Sequence, residues 1–151
     1  MIKKILIKIF CIVFLTSCGF TPMYSNLGTN KLNIQVINTS GDNEINSKII
    51  SKLKVHNNNS EKLFKIKLNT EYVKSDLSKN LKGEVTQYQL NAITNYKISG
   101  ENVKKEFNIS ENFIMKNFVD NFEEKNYEKR LKENIANVSY QKLMLQLLKL
   151  K

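Results

Sequence analysis

The sequence predicts an α+β fold: a four-stranded mixed sheet with two helices packed on one face, in the order βαβββα. Three observations lead there. Apolar and polar side chains alternate with a period of two in four separate stretches between Leu32 and Ile109. Apolar residues at three- and four-residue spacing occur twice, once after the first of those stretches and once near the end of the chain. Ser99-Gly100-Glu101-Asn102 joins the last two alternating stretches directly, which makes that pair an antiparallel hairpin.

The first strand is set by Leu32, Ile34 and Val36 alternating with Asn33 and Gln35, and Thr39-Ser40-Gly41-Asp42 is expected to break it. Asp42 suits an N-cap and Glu44 suits the positive end of the helix that follows. Ile45, Ile49 and Leu53, with Ile50 alongside, place that helix over about Asn43 to Val55. His56 to Ser60 then reads as a polar loop. In the second strand Phe64, Ile66, Leu68 and Tyr72 share one face, and Lys65, Lys67 and Glu71 share the other. Ser75 to Gly83 is polar and is expected to be a mobile loop. The third strand is long, with Thr86, Tyr88, Leu90, Ala92, Thr94, Tyr96 and Ile98 on one face. Val103, Phe107 and Ile109 mark the return strand, interrupted by Lys105.

From about Asn121 the period becomes helical. One stripe holds Leu131, Ile135, Val138 and Leu145, and a second holds Ala136, Tyr140, Leu143 and Leu147. Beyond Lys142 the helix is apolar nearly all round, so its end should be clasped by the sheet or by a partner. The helix between the first two strands allows them to be parallel if they are neighbours.

The start of the chain has a different character. Lys3, Lys4 and Lys8 flank an apolar run, Ile9 to Leu15, which leads into Thr16-Ser17-Cys18. That run is far shorter than the roughly 20 apolar residues of a spanning helix. Small residues before a cysteine are what a lipoprotein signal peptidase grips, and the thiol is what accepts diacylglycerol. Residues 1–17 therefore read as a signal peptide, 18–30 as a lipidated N-terminus and tether, and 31–151 as one domain. Gly19 after the cysteine favours export to the outer membrane over inner-membrane retention. Pro22 pushes Thr21 into extended geometry, as a tether requires.

With Cys11 lost in the signal and Cys18 acylated, no free thiol remains for disulfides, redox chemistry or thiolate metal sites. The formal charge of +10 drops by three when Lys3, Lys4 and Lys8 leave, and Arg130 is the only arginine. Such a chain is drawn to anionic partners, lipid phosphates among them, while export removes it from nucleic acid. No catalytic constellation is expected: His56 is the only histidine, which leaves no hydrolase triad, and there is no Gly-rich phosphate loop. Neither a metal site nor a cofactor is expected beyond the acyl groups, palmitate-type chains on N-acyl diacylglycerol Cys18. Lys62, Lys65 and Lys67 form the best basic cluster, suited to an anionic partner such as lipid phosphates, or simply to keeping a strand face soluble. Tyr88 and Tyr96 fall on the core face and read as packing.

Cys18-Gly19-Phe20-Thr21-Pro22-Met23-Tyr24 resembles the Cys-Gly-Phe-x-Pro-Leu-Tyr start of the LptE family of lipopolysaccharide-assembly lipoproteins in alphaproteobacteria. Val85-Thr86-Gln87-Tyr88-Gln89-Leu90, with Ala92 and Tyr96 beyond, is similar to that family's Val-Thr-Arg-Tyr-x-Leu strand. Ser99-Gly100 sits where the family has an Asp/Thr-Gly turn, and Tyr127 to Leu145 is similar to its terminal amphipathic helix. Gln87 replaces the usual arginine, and the terminal helix carries Lys and Asn where Ala is usual. The resemblance implies a non-enzymatic outer-membrane lipoprotein that plugs the LptD β-barrel and assists its assembly and the delivery of lipopolysaccharide to the surface. The alternative is a free-standing periplasmic lipid- or peptidoglycan-binding lipoprotein, whose mark would be an apolar pocket between helices and sheet.

Overall fold

The structure, a computed structural model, describes residues 32–56 and 63–150. The signal, Cys18, the tether and Lys62 lie outside the described residues. Strand β1 (Asn33–Gly41) is followed by helix α1 (Asn43–Leu53), which ends in a 3-10 turn, Lys54–His56. Strands β2 (Leu63–Lys79), β3 (Val85–Ser99) and β4 (Lys104–Lys116) come next, then helix α2 (Asn121–Leu148). The sheet order is β1-β2-β3-β4. β1 runs parallel to β2, while β2, β3 and β4 are successively antiparallel. The fold is therefore the α+β arrangement expected, and the α1 crossover is what permits the parallel pair.

Local chemistry at residues 40–46 explains how the crossover starts. Gly41 adopts φ 86, and a methyl group there would lie 2.0 Å from the Thr70 carbonyl oxygen. This close passage lets the Asp42 amide donate to that same oxygen at 2.8 Å. Asp42 then caps α1, its Oδ1 accepting from the amides of Glu44 at 3.0 Å and Ile45 at 2.9 Å. The strand thus continues through Thr39 and Ser40 to Gly41, beyond the break expected at Thr39, because neighbouring β2 supplies partners that the sequence alone does not reveal.

Both helices lie on one face of the sheet. Ile45, Ile49 and Leu53 of α1 and Ile135, Ala136, Leu143, Met144 and Leu147 of α2 are almost fully buried. Ile66 and Leu68 of β2 and Leu90, Tyr96 and Ile98 of β3 are equally buried beneath them. At roughly 1.5–3 kcal/mol per large apolar side chain, this layer is the main stabilising term. Tyr96 is held in the layer because its hydroxyl meets Ser139 Oγ at 2.7 Å, and burial raises its pKa well above the ordinary value. Thr70 and Thr94, also buried, pair through their hydroxyls at 3.1 Å.

Four further expectations need correction. Ser75 to Lys79 is strand, and only the Asn80–Glu84 turn lies outside it. The segment looks loop-like because it has no buried apolar face: Ser75, Asp76, Leu77 and Lys79 are exposed, and pairing with β3 is what makes it strand. β4 extends to Lys116, with Phe113 and Met115 packed against Leu90 and Leu131. On α2, Leu145 is 37% exposed and Met144 takes the buried place. His56 is half-buried on the 3-10 turn, its Nε2 2.8 Å from the Tyr140 hydroxyl. Burial there pulls its pKa below the ordinary 6.5.

The N-terminal half of α2 is fixed by charge as well as by apolar contact. Lys74 of β2 donates to Glu124 at 2.7 Å and to Glu128 at 3.0 Å, and the Tyr72 hydroxyl donates to Glu128 at 2.8 Å. Lys132 reaches Asp42 at 2.8 Å and Glu44 at 3.2 Å, and its ammonium lies 4.4 Å from the centre of the Tyr72 ring. Burial would raise the Asp42 carboxyl, but the Lys132 ammonium and the two capping amides outweigh it and hold the pKa below the ordinary 3.8. Glu128 is likewise held below 4.5, burial being outweighed by Lys74 and Tyr72.

Substituting Gly41 by Ala is expected to destabilise the protein by at least about 2 kcal/mol, because both the backbone and the Thr70 carbonyl resist a side chain. Gly83, at φ 82 but with open space around it, should cost only about 1 kcal/mol as Ala. Urea denaturation of the two variants checks that order. A carboxylate whose folded pKa is depressed stabilises the fold above its unfolded pKa and loses that effect as pH falls through the folded value. Stability should therefore decline as pH falls below about 4.5, and Glu128→Gln should flatten that decline. Thermal melts across the acid range would show it.

Candidate functional site

Among the described residues the opposite face of the sheet carries no helix, and the strand registers lay out its side chains in rows. Nearest the start of β1, Gln35, Lys65, Ser99 and Lys104 stand side by side. The next row is Asn38, Lys67, Lys97 and Glu106, and the third is Ser40, Asn69, Asn95 and Asn108. Further along, Glu71, Ile93 and Ser110 align, and then Val73, Asn91 and Asn112. A bulge in β1 between Val36 and Asn38 shifts the register, so that Asn38 and Ser40 join these rows. Ser40 Oγ donates to Asn69 Oδ1 at 2.8 Å across the strand pair.

The face has two polar zones, and towards its far end Val73, Ile93 and Ile114 stand exposed. Its middle is an amide and hydroxyl belt that can both donate and accept hydrogen bonds. Its end beside the β3–β4 turn is basic. There Lys67 lies directly opposite Lys97, with Lys65 and Lys104 in the adjoining row. Within these rows the carboxylate is Glu106, 3.0 Å from the Lys97 ammonium, and Glu101 stands in the adjoining turn. Lys65, Lys67 and Lys104 have no ion-pair partner among the described residues. A shallow groove of about 370 Å³ runs between Lys67, Lys97, Ser99, Lys104 and Glu106.

Of the cluster read from sequence, the structure brings Lys65 and Lys67 onto this exposed face; Lys62 falls outside the described residues. The sequence reading missed Lys97 and Lys104, which are thirty or more positions away along the chain. It missed the Asn belt as well. The signal was present, since each of these residues occupies the polar phase of its strand, but only the register makes them neighbours. Gln87 is half-buried at the other end of β3, where Ser78 Oγ lies 3.4 Å from its Oε1. Tyr96 is core, as expected. Tyr88 packs beside Leu90 and Met115, with the Lys74 ammonium 4.3 Å from its ring centre. Among the described residues no group of acidic, His and Cys side chains is placed to hold a metal ion, and no helix is long and apolar enough to cross a membrane.

Solved structures share this architecture. Rare lipoprotein B from Shewanella oneidensis superposes with a TM-score of 0.54 at 14% identity, covering 77% of this chain and 98% of that one. The fold resembles that of rare lipoprotein B. A candidate lipoprotein from Caulobacter crescentus CB15 gives 0.56 at 12% identity, covering 82% and 90% of the two chains. No protein-family profile and no curated protein matches the sequence.

Like charges directly opposed across two strands are destabilising. Lys67→Glu converts the Lys67–Lys97 opposition into attraction and is expected to stabilise the protein by about 0.2–1 kcal/mol. Lys65→Glu, which faces Ser99, should stay within about 0.5 kcal/mol of the parent. Denaturant midpoints at low and high salt measure both, and the Lys67→Glu gain should shrink with salt.

Proposed function

We propose that the chain is a lipoprotein of the bacterial outer membrane that acts by binding and catalyses no reaction. Its domain occupies an LptD-type β-barrel, assists the assembly of that barrel, and aids delivery of lipopolysaccharide to the outer leaflet. The observation that carries this reading is the open sheet face, an amide and hydroxyl belt running across β1 to β4 with lysines at one end. The lumen of an outer-membrane barrel is polar. A domain seated there must exchange water for hydrogen bonds to the wall, and amides satisfy donors and acceptors alike. The length also suits the role: the 17 residues of β2 span about 56 Å, against an apolar band of about 25 Å around such a barrel.

The Leu15-Thr16-Ser17-Cys18 signal and the fold shared with lipoproteins support lipid anchoring at Cys18. Each buried methylene contributes about 0.8 kcal/mol, so several acyl chains on one residue hold it firmly. No cofactor other than this covalent lipid is needed for binding. A free-standing lipid carrier would use a cavity between helices and sheet. In this chain Ile49, Leu143, Met144, Leu147, Ile66 and Leu90 fill that layer and are themselves fully buried.

The test is purification of the tagged protein from detergent-solubilised outer membranes. A large β-barrel should accompany it, and replacing Asn69, Asn95 and Asn108 together by Leu should release the barrel while the protein stays folded. Recovery of the parent protein with no barrel attached would sink the proposal. Depletion of the protein should in addition lower lipopolysaccharide at the cell surface.

A further inference from the structure

The basic end of the open face has a feature that solubility does not explain. Lysines scattered singly keep a strand face soluble at little cost. Lys67 and Lys97, however, are direct cross-strand partners, and Lys65 and Lys104 extend the same charge into the next row. Glu106 offsets only Lys97, at 3.0 Å. The arrangement is unfavourable when empty, and an anion seated among the ammonium groups removes the penalty. Ser99 and the 370 Å³ groove provide a hydroxyl and room for a headgroup-sized anion.

The position of the cluster selects the source of the anion. β1 enters the sheet here, Asn33 pairing with Leu63 and Gln35 with Lys65. A second lysine group, Lys79 and Lys82, sits at the other end of the sheet, about 46 Å farther along β2. The basic groove therefore lies at the end of the sheet where β1 begins, beside Gln35 and Asn38. We propose that Lys67, Lys97 and Lys104, aided by Lys65, bind the phosphate of an anionic phospholipid headgroup in the leaflet that holds the acyl anchor. The contact sets the long axis of the sheet relative to the membrane and leaves the amide belt free for its partner. This inference rests on the acylation of Cys18 in the proposed function and is independent of the barrel.

The experiment uses the full acylated protein, its Cys18 modification verified by mass, in three kinds of vesicle: phosphatidylcholine alone, phosphatidylcholine with phosphatidylglycerol, and phosphatidylcholine with lipopolysaccharide. Each lysine's rate of reaction with an amine-acetylating reagent is read by peptide mass spectrometry. Lys67, Lys97 and Lys104 are expected to react at least about five-fold more slowly with phosphatidylglycerol present, while Lys79 and Lys82 keep their rates. High salt should abolish the difference. Lys67→Gln, which leaves the fold intact, should weaken the protection of Lys104. Equal rates with and without phosphatidylglycerol, or equal slowing of all five lysines, would overturn the inference. Protection confined to the lipopolysaccharide vesicles would overturn it too, assigning the groove to that lipid. A missing barrel in the purification above would leave this result untouched, so the two failures are distinguishable.

Discussion

The fold depends on the junction at Gly41 and Asp42. A left-handed glycine lets the backbone pass within contact of the Thr70 carbonyl, and the next amide bonds to it. Asp42 then caps α1 with one carboxylate oxygen and receives Lys132 of α2 with the other. One side chain thus joins three elements: the strand pair, the crossover helix and the long terminal helix. Because the crossover starts here, β1 returns beside β2 in parallel, and the rows of the open face fall into register. Any loss at this point propagates to the surface that the proposed function uses.

The two faces of the sheet obey different rules. Beneath the helices, buried polar groups are paired, Tyr96 with Ser139, Thr70 with Thr94 and Tyr72 with Glu128, and Asn46 Oδ1 is the one buried side-chain oxygen without a partner among the described residues. Such pairing is what burial demands, since an unpaired buried polar group costs about 1–3 kcal/mol. On the open face, polar groups lie exposed in ordered rows, and like charges oppose one another. Water tolerates that arrangement at small cost. It is the inner face that holds the domain together and the outer face that is available for recognition.

Much of this was legible beforehand. The hairpin at Ser99-Gly100, the long β3 and the Asp42 cap follow from turn chemistry and alternation, which are local properties. Ser75 to Lys79 was misread for a physical reason. Ser75, Asp76, Leu77 and Lys79 are exposed, so pairing with β3 and not a buried apolar face makes this segment strand. A strand end without a buried face loses the apolar alternation by which strands are recognised. Leu145 was placed on a buried stripe that Met144 occupies, because the consecutive apolar residues Leu143, Met144 and Leu145 do not say which of them face the sheet. His56 looked like a loop residue because its partner, Tyr140, is far away along the chain.

By itself, the amino-acid sequence determined the order of the elements, the α+β class and the polar phase of each strand. These depend on neighbours within a few residues, where periodicity, capping and turn preferences act. Only the tertiary structure decided that β1 lies beside β2, that Lys67 opposes Lys97, and that Asn69, Asn95 and Asn108 form one row. Register is a long-range quantity. It is settled when the whole apolar face is buried at once, and a slip of one residue would turn every lysine and asparagine of that strand to the other side.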